Sequence, residues 1–467
     1  MSQLFGCAFK GSINEKNITE VTPMKKEESY AVSYDFIGGK DVMPIGAFYG
    51  PYVSWVSEDG NVLPNYLDEK YFRMIAEAGI NVIDYADLDY SRYPELVMQS
   101  LDMCEKYGMG YLVYDSSVSN QNGRSEDAVV NATVLSEQIA KYSDHPAFCG
   151  VFLLDEPQAP YFMELSGGRK DISRIGELSN VLQHELDLNV YLNAFPVLNI
   201  DTYKEKYEQY IAEYCETLKP KRLQYDHYPF YPDKNNEKLY GYFWNLSITR
   251  EYAQKYKIPL VVAIQAGSQF NDAAVPFTSN TPYYPTEGQF YWNINTSLAF
   301  GAQGICYFPL IQPEHFGYAE DTKYDSERNG IIGVLGNKTQ WYNYAQIINK
   351  HIAVIDEVLM NSVNKGVIIN GSEVEEDMKM TNCVIESGSF QELMSIEGEA
   401  MVGCFNYNGK TALYVVNYSM DHKQKITLEF NDTHNITMMQ NAETSYVKAK
   451  NLTLDMTAGE GVLLVIE

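Results

Sequence analysis

Between Met43 and Met360 the chain alternates short apolar runs with longer segments whose apolar positions recur every three or four residues, the signatures of buried strands and amphipathic helices. The run Pro44–Gly50 is followed by a helical pattern over Asp68–Ala78 that Gly79 ends, and Asn81–Tyr85 by one over Pro94–Tyr107 that Gly108 ends. Six more pairs follow: Gly110–Tyr114 with Glu126–Tyr142, Val151–Leu154 with Ile172–Leu186, Val190–Ala194 with Thr202–Leu218, Arg222–Tyr225 with Tyr242–Tyr256, Leu260–Gln265 with Glu287–Phe300, and Gly304–Phe308 with Thr339–Leu359. Eight strand-then-helix units in a row predict a (β/α)8 TIM barrel in residues 43–360. A doubly wound open sheet is the competing arrangement, but no glycine-rich phosphate loop follows the first strand.

After Met360 the pattern becomes alternating and turn-punctuated, over Ala400–Tyr407, Thr411–Tyr418, Lys425–Phe430 and Gly461–Ile466. Asn408-Gly409 between two alternating runs is a hairpin signal. Residues 361–467 are therefore expected to form a small antiparallel β-sandwich docked on the barrel. Residues 1–42 are polar and weakly patterned, an N-terminal segment that could lend a strand to the accessory domain.

Charge and composition narrow the partners. A formal net charge of −27 gives any attraction to nucleic acid or an anionic membrane surface the wrong sign. The 38 tyrosines favour a carbohydrate, since aromatic rings stack on the apolar faces of sugars while phenols bind hydroxyls. Seven scattered cysteines without C-x-x-C spacing indicate buried thiols, neither a disulfide framework nor a zinc site, and no metal or cofactor is expected. Met1–Lys10 lacks the features of a secretory signal and no run reaches membrane-span length. The expectation is a cytoplasmic location, or an extracellular or periplasmic one if a signal has been removed.

The stretch Cys149–Pro157, C-G-V-F-L-L-D-E-P, organises the chemistry, because its apolar run stops at two adjacent carboxylates where a barrel's ligands bind. The other strand ends offer Tyr49, Tyr85, Asp87, Asp115, Asn193, Tyr228, Gln265, Tyr307 and Gln312 as substrate-binding candidates, with Asp226 as a further acid. Acids, amides and aromatics with almost no Lys or Arg suit a neutral glycan and fit a phosphorylated substrate poorly. Glycoside hydrolysis needs a proton donor and a second group that attacks or stabilises the anomeric carbon. Glu156 is the candidate donor, with Asp155 expected to raise its pKa by repulsion. Three bland readings stand beside these. His227 is expected to be a hydrogen-bonded structural residue; Asp87, Asp89, Asp115 and Asp155 lack the spacing of a cation loop; and Trp341 packs, while Trp55, Trp244 or Trp292 could include a sugar platform. The segment Ser268–Pro285 is long enough to cover the site.

The barrel with a sandwich behind it, the acid ending strand four, and the run F-G-A-Q-G-I-C-Y-F at Phe300–Phe308 together resemble the retaining glycoside hydrolases of the large barrel superfamily, over the span from Met43 to the end. In that resemblance Glu156 is the acid/base. Two positions depart from it: Asp155 stands where those enzymes have Asn before the acid/base, and Gln265 where they have a nucleophilic Glu ending strand seven. The Asp155-Glu156 pair is similar to that of the substrate-assisted β-N-acetylhexosaminidases, which implies that Asp155 orients a substrate 2-acetamido group and that Tyr228 or another rim tyrosine binds its oxygen. A two-carboxylate glycosidase using Glu156 and Asp226, retaining or inverting, is the alternative, and a non-catalytic glycan-binding barrel is a third.

Overall fold

The computed structural model describes residues 42–53, 63–120, 130–157, 172–197, 200–231, 239–267, 284–313, 330–379, 381–386 and 390–467. Eight parallel strands close into a barrel in chain order: β1 (Ile45–Phe48), β2 (Val82–Tyr85), β3 (Gly110–Tyr114), β4 (Phe148–Asp155), β5 (Val190–Ala194), β6 (Leu223–Asp226), β7 (Leu260–Gln265) and β8 (Ile305–Phe308), with β8 pairing back onto β1. Around them run α1 (Glu69–Glu77), α2 (Pro94–Tyr107), α3 (Ser116–Ser119), α4 (Ala132–Ile139), α5 (Ile172–Asn180), α6 (Ile200–Leu218), α7 (Leu239–Tyr256), α8 (Glu287–Ala299) and α9 (Gln340–Met360). The boundaries follow local chemistry. Pro94 opens α2 and Gly108, left-handed at φ 69°, closes it, whereas α8 begins with a reciprocal capping box between Thr286 and Gln289. The sequence expects one helix over Ile172–Leu186, but α5 gives way at Val181–Glu185 to a π-helical turn. The expected Glu126–Tyr142 helix is shorter, since Asn131 caps α4 with its side chain; the part before residue 130 lies outside the described residues.

Every strand is buried on both faces, which is why the strands read as continuous apolar runs. Inside the barrel, Phe48, Leu112, Phe152 and Tyr191 pack together, while the outward side chains join the helices in the main core. Beneath them Arg222 Nη2 donates to Asp84 Oδ1 at 3.1 Å, an ion pair buried in the barrel interior. Burial raises the Asp84 carboxyl, outweighing the pull of Arg222 and the Cys306 thiol. A side chain at position 46 could not coexist with this pair: a Cβ on Gly46 would lie 1.8 Å from Asp84 Oδ2.

The C-terminal portion contains β9 (Ser362–Asn370), α10 (Ser372–Asp377), β10 (Leu393–Glu397), β11 (Ala400–Tyr407), β12 (Lys410–Asn417), β13 (Gln424–Gln440), β14 (Glu443–Met456) and β15 (Gly461–Ile466). These strands form one antiparallel sheet in the order β10-β13-β15-β12-β11-β9, with β14 on β13. The first half of β13 pairs with β10 and the second half with β15, and a register shift between Glu429 and His434 separates them. That bend folds the sheet into a sandwich around Val402, Leu413, Leu428, Leu454 and Leu464. Asn408 and Gly409, both at positive φ, make the predicted hairpin turn. The long β13–β14 hairpin exceeds the sequence expectation because its distal half is exposed and polar, so it carries no strong alternation.

Helix α8 joins the two parts and has buried residues on every side. Asn293 faces the barrel, accepting from the Gln265 backbone N–H at 3.1 Å. Asn295 faces the sheet, accepting from the Tyr414 hydroxyl at 2.7 Å and donating to the Gly459 carbonyl at 2.7 Å. Gly403 admits this contact, since a Cβ there would come within 2.3 Å of the Ala299 carbonyl oxygen.

Candidate active site

At the carboxyl end of the barrel a cavity of about 360 Å³ is lined by Asp155, Glu156, Asp226, Asn193 and the aromatic rings of Phe48, Tyr49, Tyr191, Phe195, Tyr228 and Phe308, with Ala263 and Cys306 completing it. Adjacent residues on a strand ordinarily face opposite sides, so Asp155 and Glu156 need a reason to share a cavity. Two irregularities supply it. The register of β4 against β5 shifts between Phe152 and Leu154, so that Phe152 and Asp155 both turn inward while Leu153 and Leu154 join the outer core. Glu156, the first residue after β4, then takes a left-handed backbone at φ 50° with its N–H on the Asn193 carbonyl at 3.0 Å.

Tyr49, the residue after β1, is also left-handed at φ 59°. The other described non-glycine residues with positive φ lie at helix ends or in β-turns, at Asp187, Lys219, Lys257, Gln391, Asn408, Asn441 and Ala442. Backbone strain away from such turns is therefore concentrated on two cavity residues.

The acids are held as a set. Asn193 uses its carbonyl for Glu156 and its side-chain amide for Asp226, donating from Nδ2 to Oδ1 at 2.6 Å. The carboxyl of Asp226 is raised well above the ordinary range, by burial first and then by repulsion from Glu156 and Asp155. The structure thus favours the protonated form of Asp226 relative to an ordinary carboxyl, alongside Glu156, to which the sequence assigns the donor role. The same cavity carries aromatic rings: Tyr228 stacks on Phe308 with centroids 5.2 Å apart, and Phe48 lies 5.8 Å from Tyr191. Tyr49, Tyr191 and Tyr228 keep their phenolic protons, all raised by burial foremost.

Of the substrate-binding candidates, the structure brings Tyr49, Asn193 and Tyr228 into the cavity. Tyr85 lies one layer away, its ring 4.7 Å from Phe48 and 4.4 Å from Phe152, and its hydroxyl donates to the exposed Asp87 at 3.1 Å. The remaining four have other partners. Asp115 caps α3, accepting from the Ser117 N–H, and accepts from Gln138. Gln265 clasps the loop after β6, accepting from the Phe230 N–H at 3.0 Å and donating to its carbonyl at 2.9 Å. Tyr307 points outward, stacks on Phe290 and donates to Asn349 of α9 at 2.6 Å. Gln312 is buried against the Gly330 N–H at 3.2 Å. Parity explains Tyr307: 306 and 308 face into the barrel, so 307 faces the helices. The same rule places Phe48, Tyr191, Cys306 and Phe308 in the barrel interior, positions that polarity at the strand ends does not mark.

His227 is buried, neutral because burial lowers its pKa to about 4, and paired through Nδ1 with Asn245 Nδ2 at 2.7 Å. Asp89 accepts from the N–H groups of Ser91 and Ser116 as a turn anchor. Trp244, Trp292 and Trp341 are buried in the core, whereas Trp55 and residues 268–283 lie outside the described residues. Cys104, Cys149, Cys215, Cys306 and Cys404 are buried thiols. Among the described residues, Asp102, Glu105 and His145 form a surface cluster with metal-ligand geometry. There the Ala147 N–H donates to His145 Nδ1 at 3.2 Å, and His145 Nε2 lies 3.1 Å from Asp102 Oδ1. No helix among the described residues is long and apolar enough to cross a membrane.

No protein-family model and no curated protein matches the chain. Among solved structures its fold is similar to that of the β-galactosidase from Bacillus circulans sp. alkalophilus, with a TM-score of 0.53 and 10% identity over 91% of this chain and 99% of that one. It is similar also to the β-galactosidase from the psychrophilic Marinomonas ef1, with a TM-score of 0.51 and 9% identity over 91% of this chain and all of the other. At these identities the likeness is one of fold.

Proposed function

We propose that the chain is an O-glycoside hydrolase acting on a neutral glycan, with Glu156 as acid/base and Asp155 as its partner. The observation that carries this is the convergence of Asp155, Glu156 and Asp226 on one cavity at the carboxyl end of the barrel, lined also by aromatic rings. Rings and acids in one cavity match a sugar, whose apolar face stacks while its hydroxyls and glycosidic oxygen meet the polar groups. Two solved structures that share the barrel and its sandwich are β-galactosidases, which supports the class of reaction and leaves the sugar open.

Two divisions of labour fit these acids. In the first the substrate's 2-acetamido oxygen attacks the anomeric carbon, Asp155 orients it, and no nucleophilic carboxylate is needed; Gln265, engaged with Phe230, takes no part. In the second Asp226 is the other catalytic carboxyl. Its burial favours that reading with one refinement, because a carboxyl whose pKa is raised is better suited to donating a proton than to attacking carbon. A panel of aryl glycosides, assayed with wild type and Glu156→Gln, tests the proposal. Loss of at least about 100-fold in kcat/KM for the variant is expected; unchanged turnover removes Glu156 from the donor role, and binding of the panel without turnover by wild type leaves a glycan-binding barrel. A thiazoline inhibitor separates the two divisions, since tight inhibition is expected only where the substrate assists.

A further inference from the structure

The left-handed backbone of Glu156 has a support that neither the acids nor the sugar explain. Tyr210, in the middle of α6, is completely buried, and its hydroxyl lies between two rim loops. It donates to the Pro157 carbonyl at 2.6 Å and accepts from the Phe195 N–H at 2.9 Å. Pro157 directly follows Glu156, and Phe195 is two residues beyond Asn193. The loops are tied a second time one residue back, where the Glu156 N–H donates to the Asn193 carbonyl. Proline contributes no N–H and a fixed φ, so the Pro157 carbonyl offers a rigid handle on the peptide that leaves Glu156.

We infer that Tyr210 is a positioning residue for Glu156: its single hydroxyl, bonded at once to the loops after β4 and β5, holds the Glu156 side chain on the cavity and fixes its place relative to the Asn193-Asp226 pair. The inference rests on the glycosidase reading only for its kinetic consequence. A left-handed non-glycine residue costs on the order of 1–2 kcal/mol and persists where its surroundings over-determine it. Two hydrogen bonds from one buried phenol, each contributing about 1 kcal/mol, are of the size needed. The loop after β5 and the loop after β6 show the same device with different side chains. Asn245 of α7 accepts from the Val197 N–H and donates to its carbonyl, and Gln265 does the same for Phe230. Tyr210 differs in bridging two loops, one of them carrying the proposed acid/base.

Tyr210→Phe keeps the ring and removes the bridge. Tyr414→Phe is the control, removing an equally buried hydroxyl bond, to Asn295, far from the cavity. In hydrogen-exchange mass spectrometry, Tyr210→Phe is expected to speed exchange at least about tenfold in peptides covering residues 153–157 and 194–197, with the barrel strands unchanged, while Tyr414→Phe leaves those peptides alone. On an aryl glycoside, Tyr210→Phe is expected to lower kcat about 10- to 100-fold with KM within about twofold, and to displace the limb of the pH profile belonging to Glu156. Unchanged exchange together with an unchanged pH profile overturns the inference. A wild type that hydrolyses no glycoside removes the functional reading and leaves the exchange experiment decisive for the bridge. If Tyr210→Phe does not fold, the wild-type Phe195 amide decides: bonded to the phenol it exchanges as slowly as the strand amides, and rapid exchange refutes the bridge.

Discussion

Asn193 donates its side-chain amide to Asp226 at 2.6 Å while its backbone carbonyl receives the Glu156 N–H, so a residue of β5 sets the relation between acids carried by β4 and β6. Removing the amide should disturb Asp226 without touching Glu156's own bond. Asn193→Ala is expected to lower kcat/KM about 10- to 100-fold and to cost about 1–3 kcal/mol of stability by leaving Asp226 Oδ1 without its donor. Turnover of an aryl glycoside and urea unfolding measure the two effects, and a stability loss with undiminished turnover would separate Asn193 from the chemistry.

The raised carboxyl of Asp226 gives a signed dependence on pH. A group whose folded pKa lies above its unfolded value binds its proton more tightly in the folded chain. It adds no penalty below the unfolded value of about 4, and its cost grows as pH rises from there toward the folded value. Asp226→Asn should therefore melt higher than wild type near neutral pH, with the gain shrinking toward pH of about 4. A scanning-calorimetry series across this range checks it, and a gain that grows on acidification contradicts the assignment.

Gln265 stands where the barrel glycosidases that the sequence resembles have a nucleophilic Glu, so introducing a carboxylate there is an informative change. Gln265→Glu replaces the donor to the Phe230 carbonyl with an acceptor inside a buried clasp. The expected result is a loss of about 2–4 kcal/mol with no gain in turnover. An increase in kcat would mean that the loop after β6 rearranges to admit a nucleophile.

Tyr307→Phe tests the outward placement of Tyr307. Losing its bond to Asn349 should cost about 1–2 kcal/mol in urea unfolding and leave kcat/KM for any substrate within about twofold. A selective rise in KM would return Tyr307 to the binding site.

The interior pair Arg222–Asp84 is expected to be the most sensitive to one-sided change. Arg222→Met leaves Asp84 buried without its cation and should cost about 3–5 kcal/mol, whereas the double change to Asp84→Leu with Arg222→Met should recover much of the loss. A double-mutant cycle measured by chemical denaturation gives the coupling directly.

The architecture was legible in the sequence because each barrel strand is buried on both faces and helices such as α1 and α2 on one, so period and run length survive averaging. The rim candidates were read less well. Polar residues at strand ends were taken together, although alternate positions face opposite sides; Asp155 and Glu156 entered the cavity only through a register shift and a left-handed residue that no periodicity encodes. Asn193 and Tyr228 were visible as residue types, but the bond from Asn193 to Asp226 spans 33 residues and belongs to the closed barrel. Tyr210 lay in a helix rich in tyrosine, where nothing local distinguishes the ring that holds a loop from those that pack.

Helix α8 has its own consequence. Asn293 and Asn295, two positions apart, serve the barrel and the sheet respectively, and residues 290–299 around them have no solvent side. The sandwich is thus one face of a party wall: excising it would strip the covering from Trp292 and Ala299, and grafting a foreign module in its place would require α8 to be rewritten. Recombination within such a lineage is then constrained to exchange wall and module together.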